Sequence, residues 1–264
     1  MYSFEYQRPA ALADALAAAG ADAKYLAGGQ SLVQALKLRL ANVPQLVDLG
    51  ALAELRGIRI AADAVTVGAM TRHAEVAQSR ELAAAIPALA DLAGGIGDQM
   101  VRNMGTLGGS LANADPAACY PAAVLGLGAT IRTDRRSIAA DDFFLGLYET
   151  ALEPGELIVS VSFPRVERAA YLKFKHPASR FAIVGVFVAK GRDGVRVAVT
   201  GAQSRVFRAT AIERALAVSF TPAAAAGVEL APDDMVSDLH ASADYRAALV
   251  SVIASRAVEK ALQG

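Results

Sequence analysis

Residues 101–116, Val-Arg-Asn-Met-Gly-Thr-Leu-Gly-Gly-Ser-Leu-Ala-Asn-Ala-Asp-Pro, are the stretch on which the fold turns. Glycines 105, 108 and 109 alternate with Thr106, Ser110 and Asn113, all neutral hydrogen-bond donors. Such a run can wrap a diphosphate with backbone N–H groups and hydroxyls and needs no lysine. From Gly94 to Ser110 there are six glycines and no helical period, so the segment reads as an extended loop system. Asp115 and Pro116 cap the helix expected over 119–127.

A second glycine loop lies upstream. Leu26-Ala27-Gly28-Gly29-Gln30-Ser31-Leu32 follows a strand at 24–27 and opens a helical pattern over 32–40, with another strand at 45–49. A helix over 9–19 precedes it, with proline at its start and Gly20 at its end. Two glycines permit positive φ and leave no Cβ in the way of a ligand. Ser31 is placed to cap the helix, whose N–H groups and positive dipole end suit a phosphate. The plainer alternative is a strand-to-helix turn that required glycine. The loop is not a Walker motif and does not match GxGxxG. Two such loops in separate α/β units argue for one extended ligand held between subdomains.

Working outward, 58–60 and 64–69 read as a tight hairpin, followed by helices over 71–79 and 81–94. Strands are expected at 129–133 and 157–163, and Asp141 to Phe144 open a short helix. After Pro164 the glycine-rich loops stop. Residues 181–201 give two strands joined by a turn at Gly191 to Gly194, then helices at 208–218 and 241–262. A domain boundary falls near 165.

Composition narrows the chemistry. The chain has 26 basic and 26 acidic residues among 264, so no net field draws nucleic acid or an anionic membrane. One cysteine, Cys119, excludes an intrachain disulfide, a cysteine-ligated zinc and a self-contained iron–sulfur cluster. His73, His176 and His240 are far apart in sequence, which argues against a histidine-built metal site. His73, in Thr71-Arg72-His73, reads as a helix-start histidine bonded to backbone; His176 reads as a loop residue, and His240 has no polar cluster around it in sequence. None is expected to act as a catalytic acid or base. The N-terminus has no signal-peptide pattern and no apolar run reaches a bilayer-spanning length, so a cytoplasmic protein is expected.

AGGQSL, TRH at 71–73, VRNMGTLGGSLANADPAACYPA and PGELIVSVSFP together resemble the FAD-binding subunits of the xanthine dehydrogenase and carbon monoxide dehydrogenase family of molybdenum hydroxylases. The likeness runs from about Phe4 to the C-terminal helix, and the run from Tyr171 to Gly185 is most similar to the carbon monoxide dehydrogenase medium subunit. The resemblance implies an α+β protein with the two-subdomain FAD fold of p-cresol methylhydroxylase and vanillyl-alcohol oxidase, plus a C-terminal domain. Its parts would be 1–55, 56–165 and 166–264. Leu26 to Leu32 and Thr106, Leu107, Gly108, Gly109 and Ser110 would hold the FAD diphosphate and ribityl chain. Ile96, Ile158 and Lys173 would touch the cofactor. Where the family commonly carries an acidic residue, this chain has Cys119, and a thiol does not accept as a carboxylate does; Asp115 would then do more of the work. The implied partners are a molybdopterin-binding large subunit and a small subunit with two [2Fe–2S] clusters, in a dimer of heterotrimers. Electrons would pass from those clusters to the flavin and on to NAD⁺, a quinone or oxygen. Two other readings of the same loops are a free-standing flavin oxidase and a scaffold that has lost FAD.

Overall fold

The computed structural model describes residues 1–20 and 22–263. Strands β1 (Glu5–Gln7), β2 (Ala23–Leu26) and β3 (Gln45–Asp48) form a small parallel sheet in the order β1-β3-β2. Parallel neighbours need crossover segments, and α1 (Leu12–Ala18) and α2 (Leu32–Lys37) supply them. Ala15 of α1 packs on Val47, Leu49 and Leu52, closing that layer.

The second layer is an antiparallel sheet begun by β4 (Ile58–Ile60) and β5 (Ala64–Gly68). A helical excursion then runs through α3 (His73–Gln78), α4 (Arg80–Ala85), α5 (Pro87–Gly94), α6 (Gln99–Met104), α7 (Leu107–Asn113) and α8 (Cys119–Leu127). The chain returns through β6 (Thr130–Thr133), β7 (Ser137–Ala139), α9 (Ala140–Phe143), the hairpin β8 (Phe144–Gly146) and β9 (Glu149–Thr150), and β10 (Ile158–Pro164). The sheet order is β4-β5-β10-β6-β7, so the last strand in sequence lies in the middle.

The third layer is a meander of β11 (Arg168–Lys175), β12 (Ala182–Gly191), β13 (Gly194–Thr200) and β14 (Phe207–Arg208), with α10 (Thr210–Val218), α11 (Pro222–Ala226) and α12 (Ala243–Gln263). β12 is covered on both faces. Val184, Val186 and Val188 pack with Ile253, Ala254 and Ala257 of α12, while Phe187 and Ala189 join the cluster that contains α8. That double coverage explains why the run from Ala182 to Ala189 is apolar without alternation. Every residue of α8 is buried, and a Cβ on Gly126 would lie 2.8 Å from the Phe187 ring, so helix and strand meet at glycine distance.

The mixed architecture agrees with the α+β expectation, and several elements differ. The region 94–110 is not an extended loop: it contains α6 and most of α7. Asp98 caps α6, accepting from Val101 N at 2.9 Å, and Thr106 caps α7, accepting from Gly109 N at 3.2 Å. Gly108 and Gly109 have helical backbones rather than positive φ. The helix expected over 81–94 is broken at Ile86, because Pro87 lacks an N–H and begins α5 instead. β11 and α11 had no reading in the sequence.

Arg246 of α12 fastens the third layer. It is 3 % exposed, donates through Nη1 to the carbonyls of Ile183 (2.6 Å) and Gly201 (2.8 Å), and through Nη2 to Asp238 at 2.6 Å. Arg246→Met keeps the apolar stem and strands two buried carbonyls. The expected loss is about 2–4 kcal/mol of unfolding free energy, read as a lower urea midpoint than wild type.

Candidate cofactor-binding cleft

A cleft of about 840 Å³ lies where the three layers meet. Gly28 brings two of its walls together. A Cβ on Gly28 would overlap the Met104 carbonyl oxygen and stand 2.7 Å from Gly105 Cα. Gly105 in turn leaves room for His73, since a Cβ there would lie 2.5 Å from the imidazole Nε2. The Gly28 turn thus meets the α6–α7 junction backbone to backbone, and that junction packs directly on the His73 ring at the start of α3.

The two glycine loops offer different donors. Among the described residues, the backbone N–H groups of Gly28, Gly29, Gln30, Ser31 and Leu32 have no hydrogen-bond partner. Gly29 has φ +70°, the left-handed turn that allows these successive N–H groups to converge, which is the geometry of an anion nest. Ser31 does not cap α2; its backbone is already helical and its hydroxyl makes no cap bond. In the second loop most backbone N–H groups are already used. Leu107 N bonds Thr71 O, Gly108 N bonds Ala69 O, Gly109 N bonds Thr106 Oγ1 and Ser110 N bonds Thr106 O. Thr106, Ser110 and Asn113 line the cleft there, and the Thr106 hydroxyl is already engaged as the cap of α7.

Fifteen of the residues singled out in sequence line the cleft: Ala27, Gly28, Gly29, Gln30, Ser31, Leu32, Ile96, Thr106, Gly108, Gly109, Ser110, Asp115, Cys119, Ile158 and Lys173. Leu26 and Leu107 do not. Leu107 is 1 % exposed and belongs to the central core, and the Leu26 side chain packs near Gly29. Asp115 does not sit at the cap of α8, which is Ala118; its carboxylate accepts from Ala117 N at 2.8 Å and faces the Tyr148 hydroxyl at 3.4 Å.

Cys119 takes an acceptor's place after all: Lys173 Nζ donates to its sulfur at 3.3 Å and to the Arg180 carbonyl at 2.8 Å. Ile158 is set by the segment before it. The Glu156 carboxylate receives Arg136 through Nε (3.0 Å) and Nη2 (2.9 Å), the Glu153 N–H and the Thr133 hydroxyl. Arg136 first, with the other donors behind it, holds that carboxyl down at about 2.

His73 is only 5 % exposed, lines the cleft, and stands 5.2 Å from the Tyr120 ring. Its backbone N–H bonds Gly105 O at 3.0 Å, but its Nδ1 has no partner. Burial, helped by Arg102, lowers its pKa to about 4. The other two histidines are brought together across 64 residues, with ring centroids 4.4 Å apart, and Asp238 accepts from the His240 N–H. Sequence distance concealed this pair. Among the described residues there is no group of three or more potential metal-ligating side chains. No helix among them is long and apolar enough to cross a membrane.

Sequence reasoning missed several lining residues: Tyr25 and Lys24 at one end, Tyr148 on the β8–β9 hairpin, and Arg180 and Phe181 at the other. Lys24 and Tyr25 lie in a strand and Arg180 and Phe181 in the run from Tyr171 to Gly185, and residue type alone marks none of them as lining a cleft. The positive φ of Tyr148 (+54°) and Arg180 (+62°) is invisible in residue type.

A cleft with a bare N–H nest at one wall and hydroxyl, thiol and ammonium groups at the others defines a protein built to hold an extended anionic cofactor. A family model described as the FAD binding domain in molybdopterin dehydrogenase matches residues 2–166, and the chain belongs to that family. It is 35 % identical to the carbon monoxide dehydrogenase medium chain of Hydrogenophaga pseudoflava, over 98 % of this chain and 96 % of that one. It is 34 % identical to the 6-hydroxypseudooxynicotine dehydrogenase complex subunit alpha of Paenarthrobacter nicotinovorans, over 94 % and 89 %. Among solved structures, carbon monoxide dehydrogenase from Hydrogenophaga pseudoflava superposes with a TM-score of 0.89 at 35 % identity, covering 98 % of this chain and 97 % of that chain. Quinoline 2-oxidoreductase from Pseudomonas putida 86 gives 0.89 at 33 % identity, covering 100 % and 98 %. The chain is therefore an FAD-binding subunit of the molybdenum hydroxylase type and part of an oxidoreductase.

Two outcomes follow from the geometry. Gly28→Ala forces the Gly28 turn away from Met104 and lowers stability by about 1–3 kcal/mol. Gly94→Ala, whose Cβ meets nothing closer than Ala77 at 3.8 Å, serves as the control and is neutral or stabilising; paired thermal melts compare them. For His73, the unfolded ring takes up its proton near 6.5 and the folded ring only near 4. The unfolded chain therefore binds more protons in that window, and stability falls as the pH drops from about 6.5 to about 4, by about 3 kcal/mol in all. His73→Gln removes that component from the urea midpoint measured against pH.

Proposed function

We propose that this chain is the electron-transferring flavoprotein of a three-subunit molybdenum hydroxylase, accepting electrons from [2Fe–2S] clusters on a small subunit and delivering them to an external acceptor. The large partner would carry the molybdopterin and the substrate site. The observation that carries the cofactor assignment is the row of five unpartnered N–H groups from Gly28 to Leu32 at the wall of the cleft. Successive N–H groups without a protein acceptor at a cleft wall suit a diphosphate, and the residues present fit FAD on that ground. When bound, FAD supplies the redox chemistry.

The chain's own residues then have separate tasks. The Gly28–Leu32 N–H groups hold the diphosphate, and Gly109 keeps the opposing helix close, a Cβ there meeting Ala27 at 3.2 Å. Ser110 and Asn113 offer hydroxyl and amide to the ribityl chain. Ile96, Ile158 and Cys119 supply the less polar wall, and Lys173, pinned by the Arg180 carbonyl, sets a positive charge at that end. No residue of this set is assigned a proton-transfer role. The proposed divisions 1–55, 56–165 and 166–264 are supported by the three larger sheets, each of which falls within one of them. Assembly with a large and a small subunit is supported by relatives named as medium chains or complex subunits, and the proposal extends it to a dimer of heterotrimers.

Purified protein is expected to carry FAD non-covalently, about one per chain, and to release it on acid precipitation; flavin retained in the pellet contradicts this. The isolated flavoprotein is expected to be reduced by chemical reductants and to show no hydroxylation. Adding the molybdenum and iron–sulfur partners should make flavin bleaching depend on the complex's substrate. Bleaching by a hydroxylatable substrate with no partner present favours a free-standing oxidase instead.

A further inference from the structure

His73 is a buried titratable side chain on the cleft wall, and the electron-transfer reading gives it no task. Its two ring nitrogens differ in their surroundings. Nδ1 is buried without a hydrogen-bond partner; the Tyr120 hydroxyl beside the ring is unpartnered too, so the two do not satisfy each other. Nε2 also has no protein partner among the described residues, but it is not sealed from solvent. It stands against Gly105, itself a cleft residue, where a Cβ would lie 2.5 Å away. Gly105 has φ −62° and ψ 145°, a conformation open to any residue, so its backbone does not ask for glycine. The missing side chain serves space: it admits the Gly28 turn on one side and makes room for Nε2 on the other.

Which nitrogen carries the proton follows from that difference. A neutral imidazole has one N–H. On Nδ1 it would be a buried donor with no acceptor, whereas a bare lone pair there is the less costly arrangement. The proton therefore sits on Nε2, and the nitrogen open to the cleft is a donor. Burial, with Arg102 of α6 facing the ring, keeps it neutral down to about 4. The neighbours of His73 place it along the cleft. Arg102 donates to the Ile96 carbonyl at 2.9 Å, and Tyr120 is joined to Cys119 at the start of α8. Ile96 and Cys119 belong to the less polar wall that the cofactor reading gives to the flavin.

We propose that His73 is a further cofactor-binding residue, its neutral imidazole donating from Nε2 to an acceptor atom on the flavin half of FAD. The proposal rests on the cofactor reading above. A donor on a ring that is itself locked by packing holds the flavin at one depth in the cleft. It does so without adding charge, which leaves Lys173 as the cation at that end. The buried, unpaired Nδ1 has its use here, because it keeps the proton on the nitrogen that meets the ligand.

The test titrates the flavin-stripped full chain with FAD and with ADP, which has the diphosphate and lacks the flavin, and reads both affinities by calorimetry. His73→Phe keeps a ring and removes the N–H. It is expected to bind FAD about tenfold more weakly than wild type and ADP equally well. His73→Gln, whose amide nitrogen reaches the Nε2 position, should recover most of the FAD affinity; His73→Asn, which reaches only the Nδ1 position, should not. In wild-type protein with isotope-labelled histidine, nuclear magnetic resonance at neutral pH should find the His73 proton on Nε2. That nitrogen should shift on adding FAD and stay in place on adding ADP. An unchanged FAD affinity in His73→Phe overturns the proposal, as does an equal loss for FAD and ADP, the result of a merely structural role. A proton on Nδ1 overturns it as well, and that measurement needs no variant to fold. Wild-type protein that binds neither ligand overturns the cofactor reading and this proposal with it.

Discussion

The close approach of the Gly28 turn to the α6–α7 junction is the constraint on which the site depends. With no Cβ on Gly28 or Gly105, backbone meets backbone, then the His73 ring, with the buried Tyr120 behind. That contact joins the parallel sheet to the helical excursion of the second layer. It also fixes how far the Gly28–Leu32 N–H groups stand from Ser110 and Asn113. The cleft is less a gap between two bodies than the space left when three glycine-lined surfaces touch.

How much of this was legible in the sequence differs between the two loops. The first was read for the right reason: glycines between a strand and a helix, with N–H groups left over. Its expected cap, Ser31, is not one, because the turn enters the helix with Ser31 already in helical conformation. The second loop was found in the right place for a partly wrong reason. Gly108 and Gly109 read as part of an extended loop, yet they are helical, and Ala69 and Ala27 press against them. Intrinsic propensity scores such glycines as helix breakers by about 1 kcal/mol each, and tertiary packing outweighs that. Close packing between distant segments leaves no periodic trace in one sequence.

The same limit explains the other misses. β11 carries Tyr171, Lys173 and Phe174 in a stretch whose polar and apolar residues do not alternate cleanly, since one face packs with the cluster of α5 and the other with that of α12 while its end runs out to the cleft. The His176–His240 pair and the Lys173–Cys119 contact join residues 64 and 54 positions apart. The reading of Cys119 as a lost acceptor considered the residue alone; in the fold it keeps an ammonium partner. A family pattern names positions, whereas the neighbours of those positions come from the packing.

The placement of β10 has a bearing on how the protein is made. The middle strand of the second sheet is its last in sequence, pairing with β5 some ninety residues upstream and with β6 on its other side. Until residues 158–164 leave the ribosome, β5 and β6 are edges facing an empty slot, and unpaired edges invite association with other chains. Long-range closure of this kind is slow. The Gly155 carbonyl that meets the Tyr25 hydroxyl also arrives with that strand. Synthesis therefore completes the cleft late, and a chain still growing through its helical excursion has nowhere finished to put a cofactor.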